Sequence, residues 1–166
     1  MNTSIGDEVD DFPKFYGYMG ITCALCFANI GAAYGTAISG AGICSMGIGR
    51  PDLVIKSVIP VIMAGILGIY GLIVSVILKT KINEKYDYYD GLKHLSAGLC
   101  VGLCSLGAGV AIGIAGDAGV RALGKQDRIF VGMMLILIFA EALGLYGLII
   151  SLILASKDWK NKIDNI

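Results

Sequence analysis

Four apolar blocks, residues 15–44, 58–78, 95–120 and 129–155, take up most of this 166-residue chain. A helix needs roughly 20 mainly apolar residues to cross a bilayer, and every block is long enough. Within them the only charged side chains are Asp117, near the end of the third, and Glu141, inside the fourth. Overall the chain is 56% hydrophobic and 16% charged, against about 25% charge in a soluble globular domain. The expected fold is therefore an all-α membrane protein with four transmembrane helices, and a cytosolic enzyme is excluded. No GxxxxGK[ST] loop for nucleotide phosphates occurs. A net charge of zero implies no nucleic-acid partner.

The first 13 residues do not read as a signal peptide, which would place bases before its apolar core. Asp7, Glu8, Asp10 and Asp11 precede the first block here, with Lys14 as the only base. They are expected to remain as a polar tail. Cys23, Cys26, Cys44, Cys100 and Cys104 all lie within or at the end of apolar blocks. The Cys23-x-x-Cys26 spacing suits a zinc or redox pair, but no second ligand pair accompanies it, so the five read as small apolar packing residues. His94, the only histidine, opens the third block and reads as an interfacial residue. No metal and no cofactor is expected.

The blocks are related in pairs. Residues 65–75, GILGIYGLIVS, match 141–151, EALGLYGLIIS, at seven of eleven positions and an offset of 76. Gly49-Arg50-Pro51-Asp52 aligns with Gly124-Lys125-Gln126-Asp127 at an offset of 75, and Gly31-Ala32 and Ile38 with Gly107-Ala108 and Ile114 at 76. The chain is thus a duplicated helical hairpin. The expected division is a tail at 1–14, a first hairpin at 15–80, a connection at 81–93, a second hairpin at 94–156 and a tail at 157–166. Two spans per half make the repeat parallel, unlike the inverted repeats of many transporters. In blocks one and three, small residues recur every four positions: Gly31, Gly35 and Ser39, then Ser105, Gly109 and Gly113, with Ala28, Ala32, Thr36 and Gly40 as a further row. Such rows let helix backbones approach closely. Blocks two and four carry more Ile, Leu, Val and Met, which suits a lipid-facing layer.

Glu141 is the chemically conspicuous residue. It lies 13 residues from Arg128 and 16 from Lys157, roughly 20 Å and 24 Å along a helix, near the bilayer midplane. An ionised acid there costs at least ~2.5–3.5 kcal/mol. The carboxyl is expected to be neutral against lipid and to ionise only where water or a cation reaches it. The equivalent position in the first half is Gly65, so an acid is not a packing requirement of this helix type. Around Gly65 and Glu141 stand Ile66, Leu67, Ala140, Ala142 and Leu143, with hydroxyls only on Tyr70 and Tyr146. Sodium would need several oxygens in place of its hydration shell, whereas a proton needs the carboxyl alone. A proton is favoured.

Residues 136–150, ILIFAEALGLYGLII, closely resemble the last transmembrane helix of the proteolipid family (the c subunits) of V-type proton-translocating ATPases. Residues 107–154 resemble the second half of that family, and 31–43, GAAYGTAISGAGI, its first helix. The resemblance implies a ring of duplicated hairpins in the membrane (V0) sector, with the small-residue helices inside and the other two facing outward. It implies that Glu141 is the essential carboxylate and that Tyr70 supplies a neighbouring hydroxyl. Each Glu would take a proton from a half-channel at the static a subunit, travel past lipid and release it through a second half-channel beside an arginine of that same static partner. Rotation would be driven through the central stalk and the V0 d subunit by ATP hydrolysis in other subunits. Sodium-pumping relatives place Thr and Gln where this chain has Ile66 and Leu67, in keeping with the proton.

Orientation is in conflict. The side with the tails and the connection at 80–93 holds eight Lys/Arg, including Lys79, and the opposite side holds five: Arg50, Lys56, Arg121, Lys125 and Arg128. The positive-inside rule would put the tails in the cytosol. The resemblance puts the loops at Arg50 and Lys125 in the cytosol, both termini in the lumen and the protein in vacuolar or endomembrane acidic compartments. The residues alone leave open a pore-forming or structural four-helix protein. A small cation/drug antiporter predicts an acid in the first span, which has none.

Overall fold

The computed structural model describes residues 11–83 and 86–156. The expected C-terminal tail and residues 1–10 of the N-terminal one lie outside them. Four long helices account for most of the described chain: α1 (Asp11–Gly47), α2 (Ile59–Lys81), α3 (Tyr88–Leu123) and α4 (Ile129–Ser156). Two short 3-10 turns, Pro51–Leu53 and Lys56–Val58, link α1 to α2. All four helices are long and apolar enough to cross a membrane.

The helices overrun the apolar blocks. α1 begins at Asp11, inside the expected tail, and α3 begins at Tyr88, inside the expected connection at 81–93. Hydropathy marks the part of a helix that sits in hydrocarbon. The 37 residues of α1 extend about 55 Å, well past a ~30 Å core. In the first two turns of α3, Lys93 and Asp90 form an ion pair of 2.9 Å at i,i+3 spacing.

α1 and α3 pack side by side and parallel along their lengths, and α2 and α4 lie outside them, each against its own hairpin partner. Small residues set this inner contact. A Cβ placed on Gly31 would stand 2.5 Å from the Ser105 carbonyl oxygen, and one on Gly35 would stand 2.8 Å from that of Gly109. A Cβ on Gly109 would overlap the Gly31 backbone, and one on Gly113 would come 3.1 Å from the Gly35 Cα. The two rows therefore face each other, at positions 74 and 78 residues apart, on either side of the repeat offset.

The repeat is also visible in hydrogen bonds. Ser75 on α2 donates to the Ile21 carbonyl of α1 at 3.1 Å, and Ser151 on α4 donates to the Ala97 carbonyl of α3 at 2.8 Å. Both pairs are related by 76 residues. Gly71 meets Ala24 and Ala28 as Gly147 meets Cys100 and Cys104, so these two cysteines fill alanine-sized places. All five cysteines are free thiols.

His94 is 3% exposed, covered by Tyr86 from the α2–α3 connection, whose hydroxyl meets its Nδ1. Burial pushes the Tyr86 phenol above its ordinary range, and the charge of Asp90 adds to this. Sequence placed His94 at the start of an apolar block but could not show the loop folding back over it.

Candidate functional site

Glu141 occupies the middle of α4 and is 9% exposed. It faces the seam between the hairpins. Across that seam Tyr70, on α2, donates its hydroxyl to Glu141 Oε1 at 3.1 Å. Gly144, one turn beyond the acid, makes room: a Cβ there would stand 2.5 Å from Leu67 Cδ2 and 3.5 Å from the Ala108 Cβ. Leu67 therefore packs directly on the α4 backbone, and Tyr70, three residues on, can reach the carboxylate. Sequence reading passed over Gly144, whose only signal is its i+3 spacing from Glu141.

Of the expected site residues, the structure brings Glu141 and Tyr70 together and leaves Gly65 and Tyr146 apart from them. A Cβ on Gly65 finds nothing within 4 Å, and Tyr146 points outward. The acid-bearing helix of the same chain therefore does not pack on Gly65. Gly65→Ala is expected to leave the thermal unfolding of the detergent-solubilised chain unchanged, apart from the usual gain in helix propensity of up to ~1 kcal/mol. A large drop in melting temperature would show a hidden contact.

The second acid in the apolar blocks has a different setting. Asp117 accepts from Arg121 Nε at 2.8 Å, one turn along α3, and Arg121 also donates to Ser45 on α1 at 3.1 Å. No Lys or Arg pairs with Glu141 among the described residues. At the same end of the bundle as Asp117, Arg50 reaches Asp52 at 3.4 Å and Asp127 at 3.3 Å, tying together the loops of the two hairpins. The Arg50 guanidinium holds the Asp52 carboxyl below the usual carboxylate range. Among the described residues no three His, Cys, Asp or Glu side chains cluster as metal ligands.

Fold and site together define a class: a membrane-embedded duplicated hairpin with one buried, cation-free carboxyl at mid-helix, held by a phenol from the other half. A family model for the ATP synthase C subunit matches the chain twice, at residues 19–78 and 95–154, an offset equal to that of the repeat. The chain belongs to this family. It is 61% identical over 148 residues to the V-type proton ATPase 16 kDa proteolipid c subunit 2 of Caenorhabditis elegans, covering 87% of this chain and 92% of that protein. It is 54% identical over 147 residues to the V-type proton ATPase 16 kDa proteolipid c subunit of Ovis aries, covering 89% and 95%. It is 56% identical over 146 residues to the V-type proton ATPase c subunit of Candida tropicalis, covering 88% and 91%. With its four apolar helices, it is an integral multi-pass membrane protein.

Proposed function

We propose that the chain is a proton-conducting rotor-ring subunit of the membrane sector of a V-type ATPase, with Glu141 as the proton carrier. The observation that carries this reading is the Glu141–Tyr70 pair: one carboxyl at mid-helix, 9% exposed, with a single phenol donor at 3.1 Å. A carboxyl with so few oxygens near it suits a proton and not a metal cation, whose hydration shell must be replaced oxygen by oxygen. An acid in the membrane is a functional site by default. Copies of the chain form the ring. The static a subunit supplies the two half-channels and the arginine, and the d subunit and the central stalk couple the ring to ATP hydrolysis in other subunits. The loops at Arg50 and Lys125 face the cytosol and the termini an acidified lumen.

A hydrophobic carbodiimide, which reacts with protonated carboxyls from within lipid, tests this against a pore. Labelling is expected at Glu141, mapped by mass spectrometry of the digested chain. In a rotor one blocked copy stops the whole ring, so ATP-driven acidification should fall much more steeply than the fraction of copies labelled. Inhibition in simple proportion to labelling would fit independent pores and overturn the rotor.

A further inference from the structure

At the loop end of the bundle a cavity of about 400 Å³ opens between the ends of α1 and α3, a volume in the range of small-ligand sites. Ser45, Gly49 and Arg50 line it from the first hairpin, and Arg121, Gly124 and Lys125 from the second. The lining thus holds three bases and no acid. Gly49-Arg50 and Gly124-Lys125 are equivalent pairs in the repeat, so each hairpin gives the cavity one glycine followed by one base.

The three bases have donors to spare. Arg50 engages Asp52 and Asp127 through Nε and Nη2, which leaves Nη1. Arg121 engages Asp117 through Nε and Ser45 through Nη1, which leaves Nη2. Lys125 is exposed, and its Nζ has no partner among the described residues. The acids nearby do not balance this end. Arg50, Lys56, Arg121, Lys125 and Arg128 stand against Asp52, Asp117 and Asp127, an excess of two positive charges.

Gly49 has no reason in the fold to be glycine. Its φ is not positive, and a Cβ there would meet only the Met46 carbonyl oxygen, at 3.8 Å. Bases near helix C-termini also offset the helix dipole, but that role calls for neither a cavity nor a glycine. A side chain at Gly49 would, however, take up space in the cavity. Apolar surface lies alongside: Ile48, next to Gly49, is 90% exposed, and Cys44, next to Ser45, is exposed too.

We propose that this cavity holds the phosphomonoester head of an anionic phospholipid, with its acyl chains running back along the helices. A phosphomonoester brings close to two negative charges and three acceptor oxygens, one for each spare donor group. A phosphodiester head brings a single charge, and a protein carboxylate brings one charge and two oxygens. Basic pockets between membrane helices are suited to such heads. The site needs neither the ring nor Glu141, so its failure would leave the proton reading untouched.

Native mass spectrometry of the full chain, purified in detergent and titrated with phosphatidic acid, phosphatidylglycerol and phosphatidylcholine of equal chain length, tests the site. Phosphatidic acid should bind tightest, and equal binding of any two of the three that includes it overturns the proposal. Lys125→Gln should weaken phosphatidic acid roughly fivefold, while Lys56→Gln, the same charge change at the same end but outside the cavity, should leave its affinity unchanged. Equal losses from the two would mean diffuse attraction and no site. Gly49→Leu should block the lipid without lowering the melting temperature of the chain, and unchanged binding by this variant also overturns the cavity. Displacement of the lipid by free glycerol phosphate, or by a tri-glutamate peptide, at the same concentration would give the cavity to a soluble phosphate or to a protein carboxylate instead.

Discussion

The Glu141→Gln chain is expected to fold, enter the complex and move no protons. The amide has the volume and neutrality of the protonated acid and can still accept from the Tyr70 hydroxyl, which stands 3.1 Å from Oε1 of the native acid. It cannot release a proton, so each copy would pass the half-channels unchanged. Glu141→Asp is expected to keep partial activity at best. Its carboxyl retracts by about 1.5 Å, one carbon–carbon bond, which takes it out of hydrogen-bond range of Tyr70. Quenching of a pH-sensitive dye in vesicles measures transport, and co-purification with the other membrane subunits measures assembly. Acidification at the normal rate by the Gln variant would remove Glu141 from the mechanism.

Gly109→Leu is expected to remove the folded chain altogether, while Gly107→Leu, two residues away on the same helix, should be tolerated. A Cβ on Gly109 overlaps the backbone of Gly31, whereas one on Gly107 meets nothing within 4 Å. Overpacking typically costs ~1–3 kcal/mol when neighbouring side chains can move aside. Here the obstacle is main chain in the middle of the α1–α3 contact, so the two inner helices would have to part along their length. Had the small-residue rows served contacts between copies, assembly alone would suffer. The facing of Gly31 and Gly35 by Ser105, Gly109 and Gly113 puts the contact inside one chain instead. Protease resistance and membrane yield of the two variants provide the comparison. A protease-resistant Gly109→Leu chain would mean that α1 and α3 do not pack as described.

Four spans, the duplicated hairpin and the isolated acid were all legible in the amino-acid sequence, because each is a local property. Transfer of an apolar stretch into hydrocarbon depends on composition over about 20 residues, a repeat is a comparison of the chain with itself, and a single carboxylate stands out against such a background. Resemblance added Tyr70 as its neighbour. The ends of α1 and α3 were not legible, since a helix that leaves the membrane can continue through polar residues. The burial of His94 depended on Tyr86 folding back over it from a connection.

What only the tertiary structure decided is which faces meet. Gly65 and Glu141 hold equivalent places in the repeat, yet one opens on a groove and the other lies under Leu67 and Tyr70, because a chain with two hairpins has one internal joint and two unmatched ends. Periodicity assigns a residue to a side of its helix, but which neighbour covers that side depends on how the helices are placed. Asn29 shows this most clearly. It lies 36 residues before Gly65 in the sequence, and the packing of α1 against α2 brings both to one groove.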